Sequence, residues 1–490
     1  MKRNEIIAGI LLGICGFAIN WFRLPLLFNV DFLFGSIITM FALLRFGLWA
    51  GVLASLIAST CTILHWSQPW GVIIMTAETL VAGVMVRRRR MDLMMADAIY
   101  WCTAGTVITG FLYIGVAGFN PSTALLLGCK LALNSLLNSL LAASLYHFLP
   151  GLHGFNKLPS LSNRLMLSMQ TMLIIPAFIL TFYAIRHNFS SETSAIVNNT
   201  ARMAQVAASG IGNWMQEEQL KLASLASIIG PPDRITQGAA QQILERFHKE
   251  EPYINRVGLL DRNWVSTAFS PAVDESGRST IGLSLADRPY IRHLMETDRP
   301  FLMELFWGKI GTPGPRLMLL KPYREAGALN GAMFALLSLG HPTELMEQIK
   351  GDRNLNITLL DSNRRVISST RKDLTFLQPY STPSSGHLLP TANQKVLQWI
   401  PELRPGEGAA KRWFNSFYTS ETVLKSANDL TILVEAPLKQ PLTGLQKEAT
   451  WILGILNLLI LLVVLLSRYF SRLLLAPVKG VIAISAQLPE

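Results

Sequence analysis

Two groups of residues in this 490-residue sequence have the types and spacing to do chemistry. The first opens at Asp287-Arg288-Pro289-Tyr290. A helix beginning at Asp287 would present unpaired N–H groups and a capping carboxylate. Arg288, Tyr290 and Arg292 fall at its start. A guanidinium grips a carboxylate at two points, and a tyrosine adds an apolar wall with a polar tip. Trp307, Arg316 and Tyr323, with Phe306, follow on a loop and strands and can line the same pocket. The chemistry they suggest is recognition of a small carboxylate. The second group lies in apolar runs. Lys130, Asn134 and Asn138 recur every four residues and share one helical face. Glu78 lies in another run. Glu78 and Lys130 are each about 12 Å from the outer end of their run at helical rise. Charge in hydrocarbon is costly and is usually paired, so a Glu78–Lys130 pair facing a bundle interior is expected, with the two Asn residues extending a polar lining. The alternatives are a structural polar zipper, or Lys130 reaching outward.

Other chemistry finds no support in the sequence. It has no phosphate-binding G-x-x-x-x-G-K-[ST] loop, no H-E-x-x-H and no G-x-S-x-G. The eight His do not cluster at metal-ligand spacing, and Cys15, Cys61, Cys102 and Cys129 all fall in apolar runs. No catalytic residue, metal site or cofactor is expected. The net charge of +11 suggests nucleic acid, but the basic residues cluster at the ends of apolar runs, so a bilayer is the expected partner.

The elements that must position these groups follow from hydropathy. Half of the residues are hydrophobic, and the mean hydropathy is +0.34. Six spans are read in a module over 1–150: Glu5–Phe22, Val30–Leu44, Phe46–Trp66, Trp70–Val86, Leu93–Ala117 and Ser122–Leu149. A linker over 151–164 leads to a seventh span over 165–186, and an eighth covers 449–467. Alternation from an inside N-terminus puts Lys2, Arg3, Arg45, Arg87–Arg90, Lys157, Arg164, Arg468 and Arg472 inside. Both termini are then cytoplasmic, and residues 187–448 lie outside. The fold class is a membrane α-helical bundle of eight helices plus an α+β extracytoplasmic domain.

The outer section opens with a helical stretch, Ser190 to Ile229, stopped by Gly230-Pro231-Pro232. Strand-like runs follow. A strand, D-x-N, strand pattern occurs at Asp261-Arg262-Asn263 and again at Asp361-Ser362-Asn363, which suggests two related modules in series, over about 231–340 and 341–440. After the last span, Arg468 and Arg472 lead to Pro477 and to apolar Leu473, Val481, Ile484 and Leu488, spaced as one seam of a parallel coiled coil.

The segment from Ser279 to Leu339, with Asp287-Arg288-Pro289-Tyr290, a Gly/Pro loop, a strand ending Lys321-Pro322 and the GAMFALLSL strand, resembles the membrane-distal half of a double Cache domain. The family is one of extracytoplasmic ligand sensors, built of tandem PAS-like modules. The amino-acid-binding subset has an aromatic pair after its Arg-Pro and a later acid; here Ile291 and Arg324 stand instead, so an anion is favoured over an amino acid. The tail from Arg468 resembles the first helix of a HAMP relay. The first six spans resemble substrate-binding subunits of energy-coupling-factor transporters and other multi-span sensory modules. The resemblances imply the input region of a bacterial inner-membrane receptor, working as a parallel homodimer. Its output, a histidine kinase or diguanylate cyclase of two-component or cyclic-di-GMP signalling, lies beyond these residues. The alternative is a transporter with a solute-capturing outer domain.

Overall fold

The computed structural model describes residues 3–28, 30–66, 68–148, 161–308, 314–325, 327–402, 409–424 and 430–485. The chain divides into two compact units. The first comprises Met1–Thr193, Pro401–Ser416 and Leu438–Glu490; the second comprises Ser194–Ile400 and Phe417–Pro437.

In the first unit, α1 (Arg3–Trp21) is followed by strands β1 (Leu24–Leu27) and β2 (Val30–Phe32). Next come α2 (Gly35–Phe46), α3 (Leu48–Ser59), α4 (Cys61–Trp66) and α5 (Trp70–Arg89). A broken helix consists of α6 (Leu93–Tyr100), α7 (Thr106–Gly110) and two π-helical turns, Trp101–Gly105 and Phe111–Val116. Then follow α8 (Pro121–Phe148) and α9 (Leu161–Ile229). Among the described residues, seven helices are long and apolar enough to cross a membrane.

The second expected span needs correction. Val30–Leu44 is not one helix: β2 pairs with β1, and α2 has only 12 residues, about 18 Å at helical rise against a hydrocarbon core of about 30 Å. Extended backbone at such depth is tolerated only when protein satisfies it. Val30, Asp31, Phe32 and Leu33 are all buried. Asn134 Oδ1 accepts from the Leu33 N–H at 2.8 Å, and the amides of Asn134 and Asn138 both donate to the Leu33 carbonyl at 2.8 Å. Asn20 likewise ends α1 by donating to the Ala58 carbonyl and accepting from the Gly35 N–H.

Two glycines of this unit have different tasks. A Cβ on Gly13 would lie 2.9 Å from Ile57 Cβ, so this position sets the α1–α3 approach. Gly47 is instead the joint between α2 and α3, at φ +103°, a conformation that side-chain-bearing residues avoid.

The helix α14 (Lys439–Ser485) packs between two neighbours. The Ser162 and Ser471 hydroxyls lie 2.9 Å apart, Gln170 Nε2 donates to Ser467 Oγ and Asn188 donates to Glu448. Numbers rise along α9 as they fall along α14, so the two run antiparallel. On α8, Thr123 Oγ1 accepts from Gln446 and the Cys129 carbonyl accepts from Asn457.

The second unit holds two antiparallel sheets. The first uses β3 (Ile254–Leu260), β4 (Ser266–Ser270), β5 (Leu302–Gly308), β6 (Gly314–Glu325) and β7 (Ala328–Leu337), in the order β4-β3-β7-β6-β5. It is flanked by α10 (Gln237–Glu250) and α11 (Pro289–Glu296); α12 (Gly340–Lys350) leads to the second sheet. That sheet uses β8 (Asn356–Leu360), β9 (Val366–Ser369), β10 (Gly386–Pro390) and β11 (Leu397–Pro401). After α13 (Ala409–Phe414), a helix of the first unit, it is completed by β12 (Phe417–Leu424) and β13 (Leu430–Pro437). Its order is β10-β11-β12-β13-β8-β9. Read from the other edge, β9-β8-β13-β12-β11 repeats β4-β3-β7-β6-β5, with β10 added outside.

Each module opens with the same turn. Asp261 Oδ1 accepts from the N–H groups of Asn263 and Val265, and Asp361 Oδ1 from those of Asn363 and Arg365, all within 2.9 Å. Trp264 and Arg364 follow at φ 62° and 57°.

Candidate functional site

Strand parity builds the site. Side chains two apart on a strand share a face, and in the first sheet that face carries Arg256 and Gly258 on β3, Phe306 and Gly308 on β5, Arg316 and Met318 on β6, and Phe334 and Leu336 on β7. Phe306 pairs directly with Arg316 across β5 and β6. Gly258 has no Cβ, and one built there would lie 2.5 Å from the Phe334 ring, so the ring crosses the strand at this point. Helix α11 covers the face with Tyr290, Ile291 and Leu294, all buried. Each such side chain contributes about 1.5–3 kcal/mol of apolar burial.

Between helix and sheet is a cavity of about 30 Å³, lined by Arg256, Arg288, Tyr290, Phe306, Arg316 and neighbouring apolar residues. That is room for water, not for a ligand of several atoms; occupancy requires the helix or a loop to give. Three guanidiniums converge here. Arg256 is 4% exposed, and its Nη2 donates to both oxygens of Glu275 at 2.7 and 2.6 Å. Arg288 Nε lies 3.5 Å from Asp287 Oδ1, and among the described residues this buried donor has no hydrogen-bond acceptor. The stem of Arg316 lies over Gly308, where an added Cβ would come within 2.7 Å of its Cγ. Tyr290 stacks at a tilt on Phe306, with centroids 5.0 Å apart. Burial pushes its hydroxyl up to about 12 against the pull of Arg288, so it stays a neutral donor. The arrangement turns three guanidiniums and an aromatic wall toward one small cavity.

Of the six residues expected to form this site, Arg288, Tyr290 and Arg316 line the cavity and the other three do not. Trp307 has the opposite parity to Phe306 and is 54% exposed. Tyr323 faces away, donating to the Ala226 carbonyl at 3.0 Å. Arg292 lies on the exposed side of α11. The helix start is also corrected: the N-cap is Arg288 with Pro289 at N1, without a capping side chain, and Asp287 points to solvent. Arg324 is engaged at the surface with Asp298 and the Thr297 carbonyl. Arg256 was missed. Its signal is a charge inside the strand-like run INRVGLLD, two residues before a glycine.

The second module has its charges satisfied internally. Arg371 bridges Asp373 and the buried Glu435, and Tyr380 donates to Glu435 at 2.9 Å.

The intramembrane expectation is overturned in its pairing. Glu78 and Lys130 are both buried, at 3% and 5% exposed, but form no ion pair among the described residues. Glu78 instead neighbours Asp97 and Ser135. Asp97 accepts from the hydroxyls of Ser135 and Ser139, both at 2.7 Å. Lys130 Nζ lies 5.6 Å from the Phe32 ring centroid. Asn134 and Asn138 hold the Leu33 backbone rather than extend a lining; an interrupted crossing has orphan backbone groups that must be met. Helix α14 continues through Leu473, 54% exposed, and the backbones of Pro477, Val481 and Ile484 to Ser485. Leu488 lies outside the described residues.

No family model matches the sequence, and no curated protein sequence matches it. Among solved structures, the ligand-binding domain of the Pseudomonas fluorescens chemoreceptor CtaA, in complex with L-isoleucine, is 14% identical, with a TM-score of 0.39, covering 52% of this chain and 98% of that one. The domain of the Pseudomonas aeruginosa amino acid chemoreceptor PctB, with L-Arg, is 16% identical at a TM-score of 0.38, covering 51% and 91%. The sensory domain of the Campylobacter jejuni chemoreceptor Tlp3, with isoleucine, is 13% identical at 0.38, covering 53% and 97%. At these values the likenesses carry no weight of their own, and residues and topology must support any reading of function.

Proposed function

We propose that this chain is the input region of a bacterial membrane receptor. Its tandem α+β modules, read as a double Cache domain outside the cytoplasm, bind a small anion in the first module. The binding signal leaves along α14 to a cytoplasmic histidine kinase or diguanylate cyclase, and catalysis belongs to that output. The observation that carries the ligand assignment is Arg288: a guanidinium with a buried, unfilled N–H donor at a cavity shared with Arg256, Arg316 and Tyr290. A carboxylate supplies the acceptors such a donor needs. The receptor reading is favoured over a transporter because the chain after Arg472 is helix rather than coil, as a HAMP relay in a parallel dimer requires. Among the described residues the cavity lining carries three guanidiniums and no carboxylate to meet an α-ammonium, so simple carboxylates are expected to bind more tightly than amino acids.

Thermal-shift titration of the full chain with acetate, succinate, citrate and L-isoleucine tests this. At least one simple carboxylate should stabilise the protein, and Arg288→Ala should weaken that effect at least tenfold in concentration. If no anion binds, or if binding is indifferent to both Arg288→Ala and Arg256→Ala, the assignment fails.

A further inference from the structure

The first unit contains a cavity of about 150 Å³ beside β2, α5 and α8. Lys130 and Asp31 lie on its lining together with Trp70, Tyr113 and Phe119. Lys130 is 5% exposed, and no carboxylate lies within ion-pair distance of it among the described residues; its ammonium meets the face of Phe32. Asp31, the acid whose field it feels, is engaged by Arg23 at 3.3 Å. An ammonium has three N–H donors, and a buried cation without acceptors is costly.

We propose that this cavity is a second ligand site, for a small monocarboxylate carried on a flat apolar body. The ligand's carboxylate would meet Lys130, and its body would pack against the three aromatic side chains. The volume matches an apolar cavity known to accept benzene, about 150 Å³, which sets the size at one ring with a short acidic substituent. One unmatched cation beside an acid favours a single negative charge over two. Gln446 of α14 also lines the cavity and is hydrogen-bonded to Thr123 on α8. A molecule seated here therefore touches the helix that leads out of the unit. This site is separate from the anion pocket of the second unit and does not depend on that assignment.

Calorimetric titration of the full chain carrying Arg288→Ala, which takes the outer anion pocket out of the readout, in detergent micelles with benzoate, benzyl alcohol and benzylamine tests the proposal. Benzoate should bind once per chain, and the neutral and cationic analogues at least tenfold more weakly. Lys130→Met should weaken benzoate at least tenfold. Leu127→Trp, which fills the cavity and keeps the lysine, should do the same and decides the matter if Lys130→Met does not fold. The proposal is overturned if benzoate does not bind or if its binding survives in either folded cavity variant.

Discussion

His341 is held where its charge is unwelcome. Its ring lies 3.8 Å from that of Tyr253 and 5.4 Å from that of Trp214, and among the described residues its Nδ1 has no hydrogen-bond partner. Burial lowers its pKa, and burial also lowers that of His248. Both folded values lie below the unfolded one of about 6.5, so the fold favours neutral rings. Their contribution is complete above that pH and is lost as the pH falls through and below it. The melting temperature followed by tryptophan fluorescence should drop between about pH 7.5 and 5.5. His341→Phe should flatten part of that slope, and an unchanged slope would exclude this origin. The second module offers a sharper energetic test. Arg371 spans Asp373 and Glu435, holding the Asp373 carboxyl below its usual range. Arg371→Ala would leave Glu435, 3% exposed, buried with only Tyr380 as donor. A loss on the order of 3 kcal/mol is expected, with Glu435→Gln in the same background restoring part of it. Equal stability of the single and double variants would deny the pairing.

At the level of elements, what could be read from the sequence was what is encoded locally. The turns at Asp261 and Asp361 are closed by side chains reaching two and four residues on, so a short string specifies them. Strand parity is also local: Phe306 and Trp307, both expected at the pocket, are neighbours on one strand and must face opposite ways, and the cavity takes Phe306. The second crossing was illegible for a different reason. The run from Val30 to Leu44 has the composition of a helix, and what makes it strand and short helix is Asn134 and Asn138, about a hundred residues away. Glu78 and Lys130 failed as a pair because depth along a helix does not give rotation about it. The asparagine clamp can be tested directly. Asn134→Leu removes two of the three side-chain hydrogen bonds to the Leu33 backbone and should sharply reduce folded protein, by size-exclusion yield from membranes. Asn134→Asp keeps the acceptor and loses the donor, so its yield should fall between. A wild-type yield for Asn134→Leu would show that the clamp is dispensable.

Across the first unit, α14 is bound on two sides, and it is pinned at Arg468 as well. Arg468 Nη1 lies 2.6 Å from Asp92 Oδ2, while Asp92 Oδ1 caps α6 by accepting from the Met95 N–H. One carboxylate thus serves both the start of a bundle helix and the point where α14 leaves the apolar region. Asp92→Arg should destabilise the protein, and adding Arg468→Asp should recover the ion pair but not the cap. Recovery is therefore expected to be partial, with a coupling of about 1 kcal/mol in a thermal double-mutant cycle; zero coupling would place the two residues apart in solution. The same fittings bear on how portable α14 is. Gln446, Asn457, Ser467 and Arg468 all find their partners on α8, α9 or Asp92. Grafted onto a foreign membrane protein as residues 161–490 alone, α14 would lose the partners of Gln446, Asn457 and Arg468. Such a chimera should yield less folded protein in detergent than residues 1–490, because α8 and the start of α6 are the mould in which α14 was cast.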